Sequence, residues 1–192
     1  MFERLQAGNQ RFQDAQLSPL DVATRRQATA AAQQPMAFVL SCIDSRVPPE
    51  QVFDCGIGDL FVGRVAGNIE NADLLGSMEY ATKVAGTPLI VVLGHSRCGA
   101  IKGACDGVTL GNLTALLAQV RPAIDATPCQ GERNSHNHDW VSAVTVRNVL
   151  QTMRDIPLRS PVMRELIATG RLQIQGGIYD LDTGAIRWLP NN

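Results

Sequence analysis

The stretch Met36-Ala-Phe-Val-Leu-Ser-Cys-Ile-Asp-Ser-Arg-Val-Pro-Pro49 decides the fold. Residues 36–40 form an apolar run of the right length for a buried strand. Pro48-Pro49 ends regular structure or opens a helix at its first turn. Between them, Cys42-Ile-Asp-Ser-Arg46 packs a thiol, a carboxylate and a guanidinium into one pentapeptide. These groups are therefore expected at the carboxyl end of a strand, where open α/β sheets place their ligands. A second stretch repeats the arrangement: Pro88-Leu-Ile-Val-Val-Leu93, then Gly94-His95-Ser96-Arg97-Cys98-Gly99. A lone cysteine after a strand is ordinarily a small buried hydrophobe. Two equivalent strand ends presenting Cys42, His95 and Cys98 are a different matter. Two soft sulfurs and an imidazole suit zinc with a fourth position free, the pattern of catalytic sites.

Working outward, the spacing of Phe2, Leu5 and Phe12 predicts an amphipathic first helix. A second helix is expected over residues 21–34, capped by Asp21 and rich in Ala and Gln. A short helix follows over 49–54 and a second strand over 59–65. Residues 70–85 have helical periodicity, with Leu74, Met78 and Ala81 on one stripe. The strand at 89–93 is purely aliphatic, as a central parallel strand should be. Further helices are expected at 110–124, 141–153 and 161–169, with a polar loop over 127–139. Strands at 172–179 and 185–189 close the chain through the turn at Asp182-Thr-Gly184. This alternation predicts one α/β domain over residues 1–192, a mainly parallel central sheet flanked by helices with right-handed crossovers. Residues 1–34 read as a helical arm and 35–192 as the α/β core.

Composition bounds the function. The 192 residues carry a formal net charge of −1, with acids and bases interspersed. No basic stripe points to nucleic acid, and no apolar stretch has the length to span a bilayer. Residues 1–15 are amphipathic and charged, unlike a signal peptide. Five cysteines, two of them assigned to metal, leave Cys55, Cys105 and Cys129, an odd remainder that fits a reducing compartment and so the cytoplasm. Asp44 and Arg46 are candidate catalytic residues. Asp44 stands two residues from a metal ligand and can orient the attacking oxygen, while Arg46 can hold its carboxylate in a bidentate pair. His136 and His138 read as solvated loop residues.

Cys42-x-Asp-Ser-Arg46 followed by Gly94-His-Ser-x-Cys-Gly99 resembles the β-class carbonic anhydrases. Gly58-Asp-Leu-Phe-Val62, Ala66-Gly-Asn-Ile69, Ser77-Met-Glu-Tyr80 and the segment from Arg171 to Gly184 extend the resemblance over nearly the whole chain. It is weakest over residues 104–140. The resemblance implies one zinc per chain on Cys42, His95 and Cys98. It also implies reversible hydration of carbon dioxide to bicarbonate and a proton by a zinc-bound hydroxide. It further implies a homodimer or a dimer of dimers, whose N-terminal arm wraps the neighbouring subunit. The substrate pocket it implies comprises Gln33, Phe61, Ala66, Tyr80 and Gly99. Val39 stands where some members carry a tryptophan that helps bind inhibitory bicarbonate, so the site is expected to be of the open type, with Asp44 off the metal. Ala66 stands where the family often has a larger aliphatic residue. Hydrolysis of carbonyl sulfide or carbon disulfide on the same scaffold is therefore the rival activity. A non-enzymatic zinc scaffold is the last alternative, and the Asp44–Arg46 pair argues against it.

Overall fold

In the computed structural model, which describes residues 1–19 and 21–190, five strands form one sheet in the order β2-β1-β3-β4-β5. The strands are β1 (Ala37–Ser41), β2 (Leu60–Arg64), β3 (Leu89–His95), β4 (Gln173–Tyr179) and β5 (Ile186–Trp188). The first four run parallel and β5 pairs antiparallel to β4. β1 and β3 are buried along their whole length, which explains their unbroken apolar sequences.

Alternate residues serve opposite faces. Val39, Val91 and Leu93 join Leu5, Val47, Val52 and Phe53 in one core. Phe38, Leu40, Ile90 and Val92 join Leu75, Met78, Val149, Ile156, Met163 and Leu166 in the other. The first face is covered by α1 (Phe2–Gln13) and α3 (Pro49–Val52), with α2 (Val22–Thr29) between them in the chain. The second is covered by α4 (Ala72–Glu79), which runs into a wider π turn over Tyr80–Val84. Beyond β3 come α5 (Gly99–Cys105), α6 (Gly111–Ala118), α7 (Arg121–Asp125), α8 (His138–Arg159) and α9 (Pro161–Ala168). A third cluster beside the strand ends joins Cys42 and Cys98 to Ile101, Val120, Ile124, Trp140 and Val144.

Several expected elements differ in extent. The helix expected at 21–34 stops at Thr29 and buries no residue. That expected at 110–124 is two helices, with Pro122 in the first turn of the second. The one expected at 141–153 runs from His138 to Arg159, started by Asn137, whose side chain accepts from the Trp140 N–H. The short α5 between the last metal-ligand candidate and residue 106 was not expected at all.

The first helix of the expected arm also packs on its own chain. α1 is seated on its own chain: Leu5 is fully buried, and Phe2 meets the Trp188 ring edge-on at 4.6 Å. Asn9 is the pin. Its Nδ2 donates to the carbonyls of Val52 (3.2 Å) and Gly184 (2.9 Å), and its Oδ1 accepts from the Ile186 N–H (3.1 Å). Apolar burial and a satisfied buried amide fasten this helix to β5 and to the β4–β5 turn. Asn9→Ala would leave two carbonyls and one N–H without that partner, at about 1–3 kcal/mol for each buried group that water does not reach. We expect a loss of roughly 2–5 kcal/mol in denaturant unfolding, and a change below half a kilocalorie would refute the pin.

Candidate metal centre

β1 and β3 are neighbours in the sheet; Ser41, the last residue of β1, pairs with Leu93, two residues before β3 ends at His95. Cys42 follows β1 directly, His95 is the last residue of β3, and Cys98 caps the amino end of α5. Gly94 allows this approach: a Cβ there would lie 2.7 Å from Val149 of α8, which packs tightly over the end of β3. The three ligand atoms lie within 4.8 Å of one another, and all three residues are buried. Among the described residues no other group of three or more His, Cys, Asp or Glu comes together in this way. His136 and His138 are exposed and stand apart from it.

The donor set fits zinc on two independent counts. The two sulfurs are 3.9 Å apart. Zinc–sulfur bonds of about 2.3 Å at the tetrahedral angle require about 3.8 Å. His95 is completely buried, and its Nε2 has no hydrogen-bond partner. Its Nδ1 lies 2.9 Å from the Ser96 carbonyl, which fixes the tautomer with the proton on Nδ1 and the Nε2 lone pair free. An orphaned lone pair inside a protein is costly, and a metal ion beside two sulfurs resolves it. Of the two thiols, Cys42 is the one biased toward the thiolate that a metal binds. The Cys98 S–H contact pushes the Cys42 thiol down strongly, helped by His95 and by the Gly67 N–H, 3.4 Å from Sγ. The same contact and deep burial push Cys98 up. Gly67 has φ +76, a conformation that aims its N–H at the sulfur and that glycine adopts without strain.

Asp44 and Arg46 stand where expected. The guanidinium forks the carboxylate, Nε to Oδ1 at 2.9 Å and Nη2 to Oδ2 at 2.8 Å, and the Arg46 N–H adds a third bond at 3.0 Å. Arg46's hydrogen bonds hold the Asp44 carboxyl well below the usual carboxylate range, against the opposing effect of burial. Asp44 Oδ2 lies 3.8 Å from His95 Nε2, so the carboxylate borders the place where the ligand atoms converge.

The five pocket candidates divide into two sets. Ala66 and Gly99 flank the cluster: Ala66 precedes Gly67, and Gly99 follows Cys98. Phe61 pairs with Phe38, four residues before Cys42. It therefore lies about 13 Å down the sheet at about 3.3 Å per residue. Its ring contacts that of Tyr80, which is 52% exposed. Gln33 is exposed and precedes β1, toward the opposite end of the sheet. One chain does not bring these three to its own metal cluster.

Two arginines fasten the site to the rest of the fold. Arg97, between His95 and Cys98, has φ +55 and makes a bidentate pair with Asp182 at 2.7 and 2.8 Å. The Leu181 N–H also donates to Ser96 Oγ. The ligand-bearing loop is thus fastened to the β4–β5 turn that Asn9 holds from the other side. Arg64 bonds the main chain of the pentapeptide itself. A cavity of about 500 Å³ opens at the far end of α5, beside Cys105, Arg133 and Trp140. Part of its charge is internally paired, Arg121 with Asp125, and it holds none of the three ligands.

Comparison with known proteins agrees with this geometry. The carbonic anhydrase family model matches residues 37–186. Carbonic anhydrase 2 of Mycobacterium tuberculosis is 37% identical over 189 residues, covering 95% of this chain and 88% of that protein. The Coccomyxa β-carbonic anhydrase solved with acetazolamide superposes with a TM-score of 0.78 at 28% identity, covering 87% of this chain and 77% of its own. One of two tetrameric β-carbonic anhydrases from Sordaria macrospora gives 0.73 at 26%, with coverages of 87% and 90%. The match therefore takes in the sheet, both strand ends and the closing strands together, and the chain belongs to the β-carbonic anhydrases.

Proposed function

We propose that this carbonic anhydrase hydrates carbon dioxide reversibly to bicarbonate and a proton, with one zinc per chain held by Cys42, His95 and Cys98. The observation that carries the reading is the buried, unpartnered His95 Nε2 beside two sulfurs, with an ionised carboxylate 3.8 Å away. Zinc at such a site supplies a Lewis acid that acidifies water, so that a nucleophile is available near neutral pH. The rest is the work of this chain's own residues. His95 is held in its ligating tautomer by Ser96. Asp44, kept ionised by Arg46, only accepts hydrogen bonds. A water beside it therefore turns its proton toward Asp44 and its lone pair toward the carbon of the substrate.

The placement of Gln33, Phe61 and Tyr80 supports a pocket completed by a second copy. Ala66 and Gly99 would come from one chain and the other three from its partner, so the active unit is a symmetric dimer or a dimer of dimers. The Sordaria relatives are tetrameric by their description. Such a wall offers apolar surface and no charged anchor, which suits a small apolar substrate. It would discriminate carbon dioxide from carbonyl sulfide by only about 1–3 kcal/mol. The small Ala66 is the one feature that favours the larger molecule. Zinc-loaded protein should acidify carbon dioxide solutions far above the uncatalysed rate and run as two or four chains in light scattering. A faster reaction with carbonyl sulfide under matched conditions, or full activity in a single chain, overturns the corresponding part.

A further inference from the structure

The turn that carries Asp44 is self-contained. Arg46 bonds the Asp44 carboxylate through its side chain and its N–H, and the Val47 N–H donates to the Asp44 carbonyl at 3.0 Å. Residues 44–47 are therefore one rigid unit, and Arg46 rides on it. A bond made within that unit does not stop the unit from pivoting as a whole about Ile43, which is exposed. The restraint has to come from another element.

Arg64 supplies it. It is the last residue of β2 and pairs with Ser41 across the sheet. Unlike Arg46 and Arg97, whose forks hold carboxylates, Arg64 directs Nε to the Cys42 carbonyl at 2.9 Å and Nη2 to the Asp44 carbonyl at 2.6 Å. The next residue, Val65, donates its N–H to the Ser41 carbonyl at 3.1 Å. The carbonyls of residues 41, 42 and 44 are thus all fastened to the end of β2. We propose that Arg64 is a positioning residue. By bridging the Cys42 and Asp44 carbonyls it locks the Asp44–Val47 turn to β2, and so holds the Asp44 carboxylate beside the metal position without ligating the metal.

The proposal rests on the metal reading above. Its reason is distance. Asp44 Oδ2 is 3.8 Å from the ligating nitrogen of His95, so a small pivot of the turn would carry the carboxylate into the position that water must occupy. Arg46 fixes which way the carboxylate faces, and Arg64 fixes where the turn stands. The two tasks are separable, because the first is made inside the turn and the second from the sheet. A guanidinium suits the second task because its planar fork reaches two acceptors at once, whereas a lysine ammonium is a single point.

The test uses the full chain loaded with cobalt(II), whose visible spectrum reports the ligand set, alongside kinetics of the zinc form. Arg64→Gln and Arg64→Lys should both keep one metal per chain by elemental analysis and a near-native melting temperature. Both should show an altered cobalt spectrum at neutral pH and a kcat reduced about 10- to 100-fold, as for other groups that orient metal-site residues. Wild-type spectrum and kcat in Arg64→Gln overturn the proposal. Recovery of both in Arg64→Lys overturns it too, since charge alone would then suffice. Loss of metal and fold together in both variants reduces Arg64 to a structural residue. A wild type that takes cobalt but does not hydrate carbon dioxide refutes the functional reading alone, because the spectra still test the lock. A wild type that takes no cobalt refutes the metal reading and the lock together.

Discussion

Cys98→Ser and Cys42→Ser should each strip the zinc and abolish activity. Both thiols are buried, and each faces the other and the free lone pair of His95. A serine hydroxyl in the same place is a harder donor that stays protonated at neutral pH, so it neither matches the metal nor neutralises its charge. An apparent zinc-binding free energy of about 10–16 kcal/mol, shared among three protein ligands, gives about 3–5 kcal/mol for each. One lost ligand then weakens binding by roughly two to three and a half orders of magnitude. Cys55→Ser is the control: that thiol is buried elsewhere, pushed up to about 12 by burial, and bonded to the Phe53 carbonyl. It should leave zinc at one per chain. Stoichiometric zinc in either ligand variant, by elemental analysis after dialysis, would remove the assignment.

The parts of this molecule legible in the sequence are those written in neighbouring residues. β1 and β3 are buried on both faces, so their apolar runs are uninterrupted; the strands end one and two residues beyond the expected runs, at Ser41 and His95, and these ends place Cys42, His95 and Cys98 together. The Asp44–Arg46 pair is equally local. What escaped is long-range. Arg97 meets Asp182 at a separation of 85 residues, and Arg64 meets the Cys42 and Asp44 carbonyls from a different strand. An arginine beside a ligand motif does not announce whether its fork faces solvent, a carboxylate or the main chain.

The helix errors have the same origin. α5 was missed because Gly99 and Gly103 give it weak intrinsic propensity, while its stability comes from packing Ile101 into the third core cluster. α6 and α7 were merged because Leu117, Val120 and Ile124 all face the core and hide the break before Pro122. α8 was cut short because Pro157 reads as a breaker. It stands in the last turn, where its ring ends the helix within a few residues. The Ala and Gln of residues 30–34 favour helix, but α2 stops at Thr29; its tie to the chain is Arg25, which bonds the Ile57 carbonyl and Asp59. Propensity proposes such helices and burial decides their ends.

Asp44→Asn should slow turnover by about 10²–10⁴-fold while leaving zinc content unchanged, the range for loss of a positioned proton acceptor. Both carboxylate oxygens are held by Arg46, as expected of a carboxylate that stays off the metal. The metal should therefore survive the substitution. What changes is polarity. An amide offers N–H donors where the carboxylate only accepts, so a neighbouring water can be turned with its proton toward the substrate. Arg46→Ala separates orientation from charge, because the carboxylate stays and its partner goes. The pH dependence follows from the sign of the shift. Arg46 lowers the Asp44 carboxyl below its ordinary value of 3.8. The ion pair is thus fully formed above that value and is lost only as pH falls through the depressed native one. Removing Arg46 raises the carboxyl back toward its ordinary value, so the acid limb of the pH–rate profile moves up. Wild-type enzyme should therefore keep a profile set by the ionisation of water through the neutral range, with Arg46→Ala failing earlier on the acid side. An Asp44→Asn enzyme with more than half the native kcat would show that orientation by this carboxylate is dispensable, and the site would then work through its metal ligands alone.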